Sequence, residues 1–342
     1  MRGVLIRKPH DAEYGELPQP EITEGQVLVR VAATGVCMSD VEVYDGTRPE
    51  PYVKYPCIPG HEWCGMVIEV GPEVRHLEVG DRVAVEGHNY CGRCFFCTRG
   101  QTNLCESYNE LGFTLPGGYA EYVAVRADLA HPFGDSLSFE LAAITEPASC
   151  AGHGMLRAPV YPGQTVAVVG PGTIGLLAAA WARALHAGRI IVIGLEPKSE
   201  SLVRTILGTE YLTVTEDTPE QVRDLTDGHG ADVVVEAAGD PEALALACNV
   251  ARRGGTVVAL GVAGGRRPLG VDSDLFSLKD LRVQGIFAYT SEVFRHTLRQ
   301  IEVGALDVRA FVTHRLPLGQ FLQAFHLLKH RPEPVLKVLL VP

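Results

Sequence analysis

Short apolar runs bounded by glycine, proline and aspartate fill the first third of the chain, which predicts a β-rich region. The clearest of these runs are residues 25–37, 65–74 and 80–85. From about Pro147 the pattern changes, and apolar strand-type runs alternate with helical segments. The strand-type runs there are residues 165–170, 189–194, 231–239 and 254–261. Alternating strands and helices predict an α/β fold with a parallel, doubly wound sheet.

The last fifty residues change pattern again. Residues 294–304 and 318–330 have the spacing of amphipathic helices, and residues 334–341 form an apolar terminal strand. That strand can return to the first region. We therefore predict a β-rich domain over residues 1–149, an inserted nucleotide-binding domain over 150–287, and a return to the first domain over 288–342.

One uncharged segment, Val166 to Ala182, has the composition of a membrane span. It contains a proline and three glycines in a phosphate-loop pattern, so we interpret it as a strand, a turn and a helix. The N-terminal apolar run is too short for a signal peptide, and the expected location is the cytoplasm. The formal net charge is −11 without a basic cluster, which argues against nucleic acid or an anionic membrane as partner.

Four of the nine cysteines lie within fifteen residues. They form a C-x-x-C-x-x-C-x(7)-C pattern made by Cys91, Cys94, Cys97 and Cys105. Four thiolates in a short loop can surround one zinc ion and leave no open position, which is typical of a structural site. An iron–sulfur cluster or free thiols are the alternatives. Bacterial iron–sulfur patterns of this kind have a proline after the last cysteine, and Glu106 follows here.

A second set of candidate ligands is spread along the chain. Cys37 ends a predicted strand, His61 and Glu62 follow a proline-rich approach, and Glu146 lies where the two domains should meet. A thiolate, an imidazole and a carboxylate together suit zinc. Such a site keeps a position open for water or substrate, as catalytic zinc requires.

The segment GPGTIG carries the glycines Gly170, Gly172 and Gly175, with Thr173 and Ile174 at the start of a helix. Directly after a strand, this spacing is typical of a dinucleotide site, because the glycines allow a tight turn and close backbone approach. The helix N-terminus then faces the pyrophosphate.

Together these segments resemble the zinc-containing medium-chain dehydrogenases, in the branch of sorbitol, threonine and glucose dehydrogenases. The motifs that carry the resemblance are C-x-S-D, GHE, the four cysteines, E-P-x(5)-H and the glycine fingerprint, in family order. It implies a GroES-like catalytic domain beside a Rossmann cofactor domain. It also implies hydride transfer from a polyol, sugar or L-threonine-like alcohol to NAD(P), with one catalytic and one structural zinc ion.

The resemblance also assigns roles to residues of the first domain. Cys37 and His61 are implied as catalytic zinc ligands, with Glu62 as a mobile or water-linked ligand. Glu146 occupies the position at which classical alcohol dehydrogenases have a cysteine. Asp40 is implied as the carboxylate that orients the zinc-bound histidine.

A proton relay is implied as well. Ser39 resembles the family hydroxyl that bonds the substrate oxygen and passes its proton toward the cofactor ribose. Many members have histidine five residues after the ligand cysteine, whereas this chain has Glu42. Either Glu42 is the terminal base or the relay runs through water. Glu42 points to a sugar as substrate, and the segment around His88 points to threonine, so the substrate class stays open.

The choice between the two nicotinamide cofactors depends on the end of the second strand of the inserted domain. NAD-dependent relatives have an acidic residue there, and this chain has Gly194. Loss of the carboxylate removes the repulsion of a 2′-phosphate, and Lys198 can pair with that phosphate, which favours NADP. Glu196 lies two residues on and can replace the missing acid, which leaves NAD open.

Two rival functions use the same fold. A zinc-free quinone or enoyl reductase would lack the set Cys37, His61, Glu62 and Glu146. A non-catalytic nucleotide-sensing protein would not need these ligands or Ser39. The expected partners are a small-molecule alcohol and other copies of the chain, as a tetramer or dimer.

Overall fold

The computed structural model describes residues 1–197, 199–262 and 267–342. These residues form two compact units. The first unit comprises Met1–Glu146 and Thr290–Pro342, and the second comprises Pro147–Tyr289. Both ends of the chain therefore belong to the first unit.

The strands in chain order are β1 (Arg2–Lys8), β2 (Asp11–Glu16), β3 (Gln26–Val36), β4 (Glu62–Val70), β5 (Arg82–Val85), β6 (Tyr122–Arg126), β7 (Ala130–Pro132), β8 (Thr165–Val169), β9 (Arg189–Gly194), β10 (Glu210–Thr213), β11 (Ala231–Glu236), β12 (Ala251–Ala259), β13 (Arg282–Gly285), β14 (Val312–Pro317) and β15 (Lys337–Val341). The α-helices are α1 (Met38–Asp45), α2 (Phe139–Ala142), α3 (Thr145–Arg157), α4 (Thr173–Ala184), α5 (Ser199–Leu207), α6 (Thr218–Asp224), α7 (Pro241–Val250), α8 (Asp274–Lys279), α9 (Ser291–Glu302) and α10 (Phe321–His330).

The first unit is built around the long strand β3. Its larger sheet has the order β14-β15-β3-β4-β5-β7, and β6 also pairs with β3. β3 runs antiparallel to β4, with Gly35 opposite Glu62, and antiparallel to β15, with Val36 opposite Val338. The end of β3 therefore lies beside the beginnings of β4 and β15.

Alternate residues of these strands face the core of the first unit, as expected for a period of two. The core includes Val27, Val29, Val31, Trp63, Val67, Val83 and Val85. The helices α9 and α10 confirm the two amphipathic patterns near the C-terminus. α9 buries Phe294, Leu298 and Ile301 along one face.

The second unit contains a six-stranded sheet in the order β10-β9-β8-β11-β12-β13, with all neighbours parallel. This strand order and direction define the Rossmann fold and confirm the predicted α/β class. Parallel strands buried on both faces have continuous apolar sequences rather than alternating ones. Val166, Ala167 and Val168 accordingly have no exposed surface.

The uncharged segment from Val166 to Ala182 is a strand, a turn and a helix, as predicted. Gly170 connects β8 to the turn with φ 109°, a left-handed conformation that favours glycine. A Cβ at Gly175 would lie 1.9 Å from the Gly170 carbonyl oxygen, so α4 begins in close contact with the end of β8. Within the described ranges, none of the helices has both the length and the apolar character needed to cross a membrane.

Candidate active site and metal centres

Cys37 is the residue between strand β3 and helix α1. It caps the helix, and its amide donates to Asp40 Oδ2 at 2.9 Å. The capping interaction places the thiol at the end of the sheet and turns the Asp40 carboxylate back toward the strand. Cys37 is half-buried, whereas Asp40 is fully buried.

The Asp40 carboxylate holds His61. Asp40 Oδ1 lies 3.5 Å from His61 Nδ1 and accepts a hydrogen bond from the Gly60 amide at 3.3 Å. Tyr119 donates its hydroxyl to Asp40 Oδ2 at 3.2 Å. Burial opposes the charged form of Asp40, but His61 and the Cys37 and Gly60 amides outweigh it and lower its pKa. Because Nδ1 faces this carboxylate, Nε2 is the nitrogen of His61 that is placed to bind a metal ion.

Glu62 follows His61 and begins β4. Its carboxylate accepts hydrogen bonds from the buried ammonium group of Lys337 at 2.5 and 2.7 Å. Lys337 Nζ also donates to the Val36 carbonyl oxygen at 3.2 Å. A Cβ at Gly35 would lie 2.1 Å from Glu62 Oε2, so a side chain there would displace the carboxylate.

The ligand atoms of Cys37, His61 and Glu62 lie within 4.8 Å of one another. A thiolate, an imidazole nitrogen and a carboxylate oxygen at this spacing fit a zinc ion. Glu146 is buried near them but is not part of this three-residue group. Burial raises the pKa of Glu146 to about 8, and the charge of Glu62 adds to that effect. A cation in this cluster would favour the ionised carboxylate, which agrees with a metal site.

Ser39 and Glu42 both lie on α1. Ser39 is half-buried in its first turn, two residues after Cys37. The side chain of Glu42 is 41% exposed, so its carboxylate is in contact with solvent. Arg48 Nη1 lies 3.9 Å from Glu42 Oε2.

The four-cysteine segment forms a second cluster. The sulfur atoms of Cys91, Cys94, Cys97 and Cys105 all lie within 4.8 Å of one another. The Cys91 amide donates to Cys105 Sγ at 3.2 Å, and the Cys97 amide lies 3.5 Å from Cys94 Sγ. Backbone hydrogen bonds from Glu106 and Cys97 lower the pKa of Cys94 to about 6. Convergent sulfur atoms that accept amide hydrogen bonds suit tetrahedral zinc.

The nucleotide fingerprint opens α4 in the second unit. Gly172 is its N-cap, and a Cβ there would meet no atom within 4 Å, which leaves backbone accessible to a ligand. Thr173 and Ile174 form the first turn, half-buried. This geometry fits a pyrophosphate at the helix N-terminus.

Gly194 ends the neighbouring strand β9. A Cβ there would lie 2.5 Å from the Tyr211 hydroxyl, which donates to the Glu196 carbonyl at 2.7 Å. The tyrosine therefore occupies the space that a side chain at this position would need. Lys198 lies outside the described residues.

Two residues of the first unit that motifs did not identify lie close to the candidate ligands. Lys337 forms an ion pair with Glu62. Its position in the apolar run PVLKVLLV could have indicated a buried ion pair, because a lysine is rarely buried without a partner. Arg48 lies 3.7 Å over the Phe113 ring, which in turn lies 4.7 Å from the His61 ring. No sequence pattern marked Arg48.

Known proteins with similar sequences share this arrangement of segments. Residues 23–135 match the alcohol dehydrogenase GroES-like domain, and residues 173–302 match the zinc-binding dehydrogenase family. Sorbitol dehydrogenase of Bacillus subtilis strain 168 is 34% identical over 345 residues, covering 100% of this chain and 97% of that protein.

Solved structures match along the whole length as well. A zinc-binding dehydrogenase from Sinorhizobium meliloti 1021, bound to NADP, is 29% identical with a TM-score of 0.90, covering 100% of this chain and 99% of that chain. An alcohol dehydrogenase from E. coli CFT073, complexed with NADH, is 26% identical with a TM-score of 0.92 and the same coverage.

Proposed function

Because the chain belongs to the zinc-containing medium-chain dehydrogenase family, we propose that it oxidises a secondary alcohol and transfers the hydride to NAD(P). The observation that carries the proposal is the convergence of Cys37, His61 and Glu62 ligand atoms within 4.8 Å. A polyol, a sugar or an L-threonine-like alcohol is the proposed substrate.

Cys37, His61, Glu62 and Glu146 would hold the catalytic zinc, which as a Lewis acid would lower the pKa of the alcohol. Asp40 Oδ1 faces Nδ1 of His61 at 3.5 Å and would so orient the ring with Nε2 toward the ligand group. Lys337 holds the Glu62 carboxylate and balances its charge while the residues around it exclude water.

Cys91, Cys94, Cys97 and Cys105 would hold a second zinc ion. Four cysteine ligands leave no coordination position for substrate, so this ion would stabilise the loop rather than take part in the reaction. We propose two zinc ions per chain on this basis.

In the second unit, Gly170, Gly172, Thr173, Ile174 and Gly175 would bind the cofactor, which would supply the hydride acceptor. Gly194 lacks a carboxylate that would repel a 2′-phosphate, and Lys198 would pair with that phosphate. Gly194 and Lys198 favour NADP over NAD. Both cofactors should be tested, because Glu196 can replace the missing acidic residue.

Ser39 would take the alcohol proton at its Oγ, and Glu42 would accept it at the outer end of the relay. Replacing Glu42 by glutamine is expected to shift or flatten the acid limb of the kcat/KM profile, because an amide takes up no proton. Initial rates between about pH 4 and pH 10 measure the change. Glu50→Gln, at an exposed glutamate outside the cluster, is the control. An unchanged profile in Glu42→Gln would assign the relay to water.

A zinc-free reductase is the less favoured alternative, since it would not need ligand atoms that converge as they do here. A non-catalytic nucleotide-binding protein is less favoured for the same reason. We also propose, from the family resemblance, that the protein is a homo-oligomer in the cytoplasm.

The test is nicotinamide reduction with NAD and with NADP across polyols, aldoses, 2,3-butanediol and L-threonine, with zinc measured in the same preparation. Turnover with about two zinc ions per chain supports the proposal and identifies substrate class and cofactor. Turnover that persists after complete zinc removal would contradict it. Absence of turnover in zinc-loaded protein with every substrate would contradict the activity while leaving the metal sites in place.

A further inference from the structure

Arg48 lies beside the proposed active site but is neither a zinc ligand nor part of the relay. Its guanidinium stacks on Phe113, and a single phenyl ring separates it from the His61 imidazole. The Arg48 side chain is only 15% exposed. This partly buried guanidinium therefore shares Phe113 as a neighbour with the candidate ligand His61.

The contacts of Arg48 leave part of its hydrogen-bonding capacity open. Nε donates to the Tyr52 carbonyl at 3.0 Å, and Nη2 donates to the Tyr108 hydroxyl at 3.3 Å. Nη1 only approaches Glu42 Oε2, at 3.9 Å, which is too long for a hydrogen bond. Nη2 lies 3.5 Å from Glu110 Oε2 without a hydrogen bond in the described part of the chain.

Glu110 is the buried carboxylate beside Arg48. Its side chain is 7% exposed and accepts a hydrogen bond from the Tyr108 hydroxyl. Arg48 lies over the Phe113 ring, which also contacts the His61 ring. Arg48 and Glu110 therefore lie beside a candidate zinc ligand.

The charges of the group favour one substrate chemistry. Arg48 faces two carboxylates, Glu42 and Glu110, so its positive charge is already balanced. A substrate carboxylate or phosphate would have to displace one of them, against their repulsion. A neutral hydroxyl adds no charge to the group, and it can accept from the guanidinium and donate to a carboxylate at once.

We propose that Arg48 is a specificity-determining residue that binds hydroxyl groups of a polyol beyond the carbon being oxidised. This inference rests on the proposed alcohol oxidation and selects neutral polyols over L-threonine and over simple alcohols. Glu110 acts as the acceptor for the same hydroxyls.

A set of four-carbon substrates isolates the effect: 2-butanol, 2,3-butanediol, erythritol and L-threonine. Arg48→Met keeps an apolar chain over Phe113 but removes every donor. The ratio of kcat/KM for erythritol to that for 2-butanol is expected to fall about 10- to 100-fold, the size of a lost charge-assisted hydrogen bond. The loss should appear mainly in KM, and Arg48→Lys should restore part of it.

Arg82→Met is the matched control. Arg82 is also 15% exposed and stacks on phenyl rings, those of Phe133 and Phe139. Arg82→Met should leave the ratio of kcat/KM for erythritol to that for 2-butanol as in the wild type.

Two results would contradict the role of Arg48 without contradicting the proposed alcohol oxidation. One is an unchanged ratio in Arg48→Met while the wild type turns over these alcohols. The other is a larger loss for L-threonine than for erythritol. A zinc-loaded wild type that oxidises none of the four compounds would remove the proposed function, and this inference with it.

Discussion

Replacing His61 by asparagine is expected to lower kcat/KM for alcohol oxidation at least about a thousandfold, or about 4 kcal/mol of transition-state stabilisation. The variant is also expected to lose one zinc ion per chain. An asparagine side chain can still donate to Asp40 from the position of Nδ1, which lies 3.5 Å from Asp40 Oδ1. Asparagine has no nitrogen at the position of Nε2, so the variant loses the proposed zinc ligand but keeps the contact with Asp40. Steady-state rates and zinc content of the same preparation measure both effects.

His131 provides a control for loss of a buried histidine. Its Nε2 bonds Glu86 Oε1 at 2.5 Å, and it is 8% exposed, against 5% for His61. His131→Gln keeps a donor at the Nε2 position and is expected to retain both zinc ions and most of the activity. If His61→Asn kept both zinc ions, or kept activity within about tenfold, His61 would not be a catalytic zinc ligand.

The sequence predicted the elements whose signals are local. The apolar run of β8, the turn at Gly170 and the helix α4 follow each other within a few residues, and the structure confirms all three. The alternation of such units after Pro147 was enough to predict the parallel sheet. Its strand order came from the structure, because sheet order depends on contacts between distant segments.

The sequence predicted only those residues of the candidate site that belong to a short motif. Cys37, His61 and Glu62 belong to short motifs, and the structure brings their ligand atoms together. The pair formed by Glu62 and Lys337 joins residues 275 positions apart in the chain. It exists because β4 and β15 both begin beside the end of β3, a register that no local pattern specifies. Arg48 was missed for the same reason, since its stacking on Phe113 is a contact between two loops.

The pair of Lys337 and Glu62 is enclosed by the first unit, with side chains 4% and 2% exposed. Burial lowers the pKa of Lys337, but Glu62 and Cys37 outweigh that effect and raise it above its ordinary value. The ammonium group of Lys337 therefore stays charged at neutral pH. The proposed ligands Cys37, Glu62 and Glu146 would carry three negative charges against the two positive charges of a zinc ion. Removal of Lys337 would therefore leave one buried negative charge uncompensated, which costs far more than the pair contributes.

Lys337→Met is accordingly expected to destabilise the first unit by about 3–5 kcal/mol. For a unit of this size the Tm of its transition should fall by roughly 10 °C. Differential scanning calorimetry of the zinc-loaded protein measures the change. The double variant Lys337→Met, Glu62→Gln removes both charges and is expected to recover much of the loss.

Lys329→Met distinguishes burial from ion pairing as the cause. Lys329 Nζ lies 2.6 Å from Asp45 Oδ2, as close as Lys337 is to Glu62, but its side chain is 47% exposed. An exposed pair of this kind contributes at most about 1 kcal/mol, so the Tm of Lys329→Met should change by only a few degrees. Equal losses in Lys329→Met and Lys337→Met would show that Glu62 is not left as an uncompensated buried charge. In that case the role of Lys337 in holding Glu62 beside Cys37 and His61 would have to be given up.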